Sequence, residues 1–185
     1  MREAAQYPNS FVPLGPDDER IETPRFTLCM GAGNRINTVQ RQRFGTGEVD
    51  EVLEEVRGLL RRRGRTRTQW EIGSGATPEK LVSLLLERGL TWDQEPTAVA
   101  LVLTTEPPPG PPGLTARRVR TLDEYVAACE VQFEAFQTPP EELDKQRQLA
   151  IETWSRGAPR ITHAIWLNDT IVGAGTSAPT PYGLA

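Results

Sequence analysis

Changes in the period of the apolar positions divide this chain into elements. Arg25 to Met30 reads as a strand, Gly31-Ala32-Gly33-Asn34 as a turn and Ile36 to Phe44 as the partner strand of a hairpin. From Val49 the apolar residues fall at Val49, Val52, Leu53, Val56, Leu59 and Leu60. Spacings of three and four put them on one helical face, and Gly64 ends the run as a left-handed cap would. Thr68, Trp70 and Ile72 then alternate with Arg67, Gln69 and Glu71, which predicts a short strand with Glu71 facing solvent. Thr77 and Pro78 open a second helix, largely buried through Leu81, Val82, Leu84, Leu85 and Leu86 and stopped by Gly89. A strand from Thr97 to Thr104 completes the order ββαβαβ.

Glu106 to Gly113, rich in proline and glycine, separates this half from a second one. Leu114 to Arg120 predicts a strand, and Thr121-Leu122-Asp123-Glu124 a capping box for a helix with Tyr125, Cys129, Phe133 and Phe136 on one face. Thr138-Pro139-Pro140-Glu141 repeats the box before a helix carrying Leu143, Ala150, Ile151 and Trp154, which runs to Gly157. Ile161 to Leu167, the turn Asn168-Asp169 and Thr170 to Gly175 form a second hairpin, giving βααββ. The expected organisation is a loose leader over residues 1–22, a first unit over 23–105, a linker over 106–113 and a second unit over 114–185. The second unit is expected to stop unfinished at Ala185, where another strand is beginning.

Composition narrows the function classes. The 185 residues, 37% hydrophobic and 25% charged, suit a soluble α/β chain, and neither a membrane span nor an apolar leader is visible, so the expected compartment is the cytoplasm. Cys29 and Cys129 read as small core residues on a strand and a helix. With His163 as the single histidine, placed in an alternating strand, no metal site is expected. A net charge of −4 argues against nucleic-acid binding, and the basic run Arg61 to Arg67 reads as a helix terminus whose cations complement the dipole.

Two glycine clusters invite a phosphate reading. Gly173-Ala174-Gly175-Thr176-Ser177-Ala178 lacks the helix that must follow it, because Pro179 and Pro181 stand there, and is set aside. Gln42-Arg43-Phe44-Gly45-Thr46-Gly47 lies between a strand and a helix, where loop amides can converge on an anion. A plain glycine turn before a helix capped by Thr46 or Asp50 fits the same residues.

Taken in order, these elements resemble the GNAT superfamily of N-acetyltransferases. The second half, with Ile165-Trp166-Leu167-Asn168-Asp169-Thr170-Ile171-Val172-Gly173, is similar to the opening of that fold. Trp70-Glu71-Ile72-Gly73 through Gly89-Leu90 is similar to a strand and helix in the first domains of tandem members. The resemblance implies a mixed, largely antiparallel sheet flanked by helices, in two incomplete halves. It further implies an acyl-CoA-dependent N-acyltransferase moving an acetyl group from acetyl-CoA, as cosubstrate, to an amine acceptor. Gln42, Gly45, Thr46 and Gly47 match the family's loop for the cofactor pyrophosphate. Leu85 stands where many members carry the tyrosine that protonates the leaving thiolate. The rival expectation is a non-catalytic acyl-CoA-binding or interaction module, with self-association through the open sheet edge.

Overall fold

A computed structural model of the chain describes residues 2–15, 17–31, 37–92, 103–106, 108–157 and 160–184. It separates into two compact units, Met1–Val102 and Leu103–Ala185. The strand expected over 97–104 lies almost wholly outside the described residues, as do positions 32–34 of the first turn.

The first unit begins with helix α1 (Arg2–Gln6) and a 3-10 turn (Pro8–Ser10), followed by strands β1 (Glu19–Glu22), β2 (Thr27–Met30) and β3 (Asn37–Gln40). A second 3-10 turn (Thr46–Glu48) leads into α2 (Val49–Arg61), then β4 (Gln69–Trp70) and α3 (Leu81–Glu87). The sheet runs β1-β2-β3-β4, with the first three strands antiparallel and β4 parallel to β3. Register decides which side chains meet the helices. Ile21, Leu28 and Val39 lie opposite one another and join the α2 residues Val49, Val52 and Val56 in one core with Phe26 and Leu81. The α2 periodicity therefore does what its spacing predicts, and Gly64, at φ +64°, turns the chain so that Arg65 N–H reaches Leu60 O at 2.9 Å.

The opposite sheet face is polar. Arg20, Cys29 and Thr38 face each other across the strands, and Thr27 faces Gln40. Residues 2–12 lie over this face, which corrects the expectation of a loose leader. Tyr7 is fully buried, the Arg20 guanidinium donates to Asn9 O and Val12 O, and Ser10 Oγ donates to Gln40 Oε1. The segment has no apolar periodicity because one aromatic ring and a set of hydrogen bonds hold it. Thr77 is also corrected: α3 starts at Leu81, and the Thr77 hydroxyl accepts from Phe44 N–H at 3.1 Å instead of capping the helix.

In the second unit, β5 (Leu114–Arg118) precedes α4 (Leu122–Ala135), α5 (Pro140–Arg156), β6 (Ile161–Leu167) and β7 (Thr170–Ser177). The short strands β8 (Pro179–Thr180) and β9 (Gly183–Leu184) pair with each other. The sheet is antiparallel in the order β5-β6-β7, and Asn168 takes the positive φ of +55° that its tight turn requires. Thr121 caps α4 by accepting from Glu124 N–H at 3.2 Å, while Glu124 reaches back to Arg120 N–H at 2.8 Å, one residue earlier than in the usual box. The second expected box does not form. Consecutive prolines set the start of α5 at Pro140 and leave Thr138 outside, with no side-chain cap. Val119, Ala128 and Ala164 are buried, with Tyr125, Trp154 and Trp166 packed around them.

Candidate functional site

The loop between β3 and α2 is the strongest candidate. It brings Gln42 together with Gly45, Thr46 and Gly47 in sequence but gives them two different environments. Gln42 is fully buried, and its amide Nε2 donates to Val39 O at 2.9 Å and to Glu71 O at 3.0 Å. It thereby bridges β3 to the chain leaving β4 just where their backbone pairing has ended. Gln42 O in turn accepts from Thr77 N–H at 3.1 Å. The far side of the loop is anchored from both directions, and Gly45, Thr46 and Gly47 project from it, exposed.

Glycine at 47 is not required by the chain's own packing: a Cβ there would meet nothing within 4 Å, leaving the space in front of the loop open. At Gly45 the N–H donates to Glu48 Oε2 at 2.6 Å, and an added Cβ would lie 3.2 Å from the same oxygen. An oxygen anion therefore already occupies the amide that the sequence assigns to a phosphate. Asp50 and Glu51 follow in the first turn of α2, where carboxylates complement the positive end of the helix dipole. Arg25 lies 3.6 Å from Glu48 and 2.8 Å from Glu51, and Arg88 grips Asp50, holding its carboxyl below the usual range chiefly through their hydrogen bond. The Glu48 side chain is 45% exposed, so it can swing into solvent and release the amide. Any anion at this loop would compete with Glu48 for the Gly45 amide.

Other residues singled out by sequence sit elsewhere. Glu71 is half-buried and hydrogen-bonded by Gln40 Nε2, which corrects its solvent-facing assignment. Leu85 is in the core of the first unit. His163 is exposed on β6, and Gly173 and Gly175 lie within β7. The basic run serves its own unit: Arg63 pairs with Glu19 at 2.5 Å and lowers its carboxyl pKa, and Arg65 donates to Gly31 O. Sequence reasoning missed Glu48. Its signal was present in Gly45-Thr46-Gly47-Glu48, where a carboxylate three residues after a cap position reaches back to the cap N–H. It also missed a groove in the second unit lined by Arg118, Val119, Arg120 and Trp154. Among the described residues, no group of three or more His, Cys, Asp or Glu side chains could hold a metal ion, and no helix is long and apolar enough to cross a membrane.

No protein-family model matches the chain, and no curated protein sequence matches it. Its structure is similar to that of a GCN5-related N-acetyltransferase from Kribbella flavida, at a TM-score of 0.53 and 16% identity over 89% of the present chain. The chain spans 62% of the length of that protein. With its mixed sheets and flanking helices, the fold of this chain is that of the GCN5-related N-acetyltransferases.

Proposed function

We propose that the chain is an acyl-CoA-dependent N-acyltransferase of the GNAT type, transferring an acetyl group from acetyl-CoA to an amine. The observation that carries this reading is the shared fold. In it, residues 23–105 are a partial GNAT-like unit and 114–185 the opening portion of a second, joined by the linker 106–113. The loop amides of Gly45, Thr46 and Gly47 hold the pyrophosphate, Gln42 braces the loop from beneath, and Glu48 leaves as the phosphate arrives. Helix α2 supplies a favourable dipole, set against the acids of its first turn.

Calorimetric titration with acetyl-CoA tests the loop. Glu48→Gln should tighten binding by on the order of tenfold, because it removes a competing charge while keeping the fold, and Gly45→Glu should abolish it. Absence of binding in both the parent and Glu48→Gln sinks the assignment.

A second reading, a non-catalytic acyl-CoA-binding or interaction module, is favoured by Leu85, which supplies no phenol at that position. Binding of acetyl-CoA without release of free thiol across a panel of primary amines selects this reading over the first.

A further inference from the structure

We infer that residues 2–12 are a releasable strap, which closes over the polar sheet face of the first unit and lets go of it without unfolding the unit. The two faces of this sheet are sealed by different chemistry. On the α2 side, separation would expose Leu28, Val39 and Phe26, and water offers those groups nothing in return. On the strap side, separation exposes Arg20, Thr38 and Gln40, which water can hydrogen-bond, and the apolar surface given up is confined to a few groups such as the Tyr7 ring and Cys29.

Beyond the hydrogen bonds at Asn9, Ser10 and Val12, the strap's hold is narrow. Gln6 donates to Ser74 Oγ at 2.6 Å and accepts from Gly75 N–H at 3.3 Å, Glu3 lies 3.5 Å from Arg43, and Tyr7 inserts its ring. Closure also leaves a penalty: the Tyr7 hydroxyl is buried with no hydrogen-bond partner among the described residues. Such an orphan raises the free energy of the closed state, and release of the strap returns the hydroxyl to water. Gly73 records how close the approach is. A Cβ there would lie 2.9 Å from Gln6 Oε1 and 3.0 Å from the Tyr7 hydroxyl, so strap and loop meet only because the side chain is missing.

Release has a consequence beyond the strap. Arg43 is held by Glu3, stacks over the Tyr7 ring at 5.6 Å and donates to Gln42 O at 2.8 Å; once the strap lifts, its guanidinium loses the first two partners and keeps the third, within the loop that carries Gly45. Coupling of the strap to an anion in that loop rests on the acyl-CoA reading above, whereas the strap itself does not.

Cys29 is a built-in reporter. It is buried on the strap side, its Sγ lies 3.3 Å from Asn9 O, and burial pushes the thiol up to about 11. The experiment is thiol labelling of the full chain carrying Cys129→Ser, in native buffer, alongside hydrogen exchange of the β2 and β3 amides. Cys29 should label faster than those amides open. Tyr7→Ala should speed labelling by on the order of 100-fold with amide protection in β2, β3 and α2 unchanged. Gly73→Ala, which displaces the strap from the loop side, should act in the same direction. Labelling no faster than core exchange, or variants that lower the protection of β2 and β3 in step with Cys29, overturns the inference. An acetyl-CoA titration that fails while labelling behaves as stated removes the loop reading and leaves the strap.

Discussion

The first unit closes Phe26, Leu28, Val39 and Leu81, together with the α2 stripe, into one sealed core. The second buries Val119, Ala128 and Ala164 and leaves its aromatic residues partly open. Its helices nevertheless carry the cleaner local signals, with a side-chain cap at Thr121 and a left-handed end at Gly157, φ +68°. Its sheet has one face covered by α4, while Leu114, Ile165 and Leu167 on the other remain exposed. The contrast separates two things that sequence patterns tend to merge: good caps and turns define where elements begin and end, but stability follows the apolar area that they remove from water.

The comparison is sharpened most by a deletion in the better core. Phe26→Ala should destabilise the first unit by about 3–5 kcal/mol, because a fully buried ring leaves a cavity behind. In urea unfolding, a probe at Trp70 should then report a shifted transition while probes at Trp154 and Trp166 report an unchanged one. A common shift at all three would make the two units one cooperative body.

A smaller effect belongs to pH. An unfolded thiol ionises near 9.0, whereas buried Cys29 keeps its proton to about 11, so above pH 9 the unfolded state binds fewer protons than the folded one. Stability from this group is complete below pH 9 and is lost as pH rises towards 11, by roughly 2–3 kcal/mol at most. Unfolding curves across that window should decline for the first unit and flatten in Cys29→Ala, measured in a Cys129→Ser background because burial raises the Cys129 thiol of the second unit as well.

The smallest effect tests whether local signals matter more where the core is thin. Thr121→Ala removes the hydroxyl that accepts from Glu124 N–H and should cost the second unit about 1 kcal/mol. Against so small a core this is a visible drop in its melting temperature, and calorimetry should place the loss in the second unit.

Helix α2 was legible because its apolar stripe is local, and α4 because Thr121 and Glu124 act within one turn. The overall fold was legible through the order of the elements. The burial of Tyr7 was not, since its partners Arg43 and Gly73 are distant in sequence and the face it covers is polar. A hydrophobicity pattern has no term for a segment held by backbone carbonyls at Asn9 and Val12. At the loop, the sequence placed Gln42 and Gly45 in one motif but did not separate a buried brace from an exposed amide. Residue type fixes what a side chain can donate, and only register fixes to whom.

The Gln42 side chain reads main-chain oxygens and no other side chain, so its tolerance to replacement differs from that of its neighbours. Asparagine is one methylene short of both carbonyls, and glutamate would turn a donor into a charge facing two acceptors. Val39 and Glu71, by contrast, contribute those oxygens whatever residue stands there. In a saturation-mutagenesis map scored for folding alone, position 42 would be an intolerant column beside permissive ones at 46 and 47. As far as folding is concerned, the outer surface of the loop is then free to vary while its spine stays fixed.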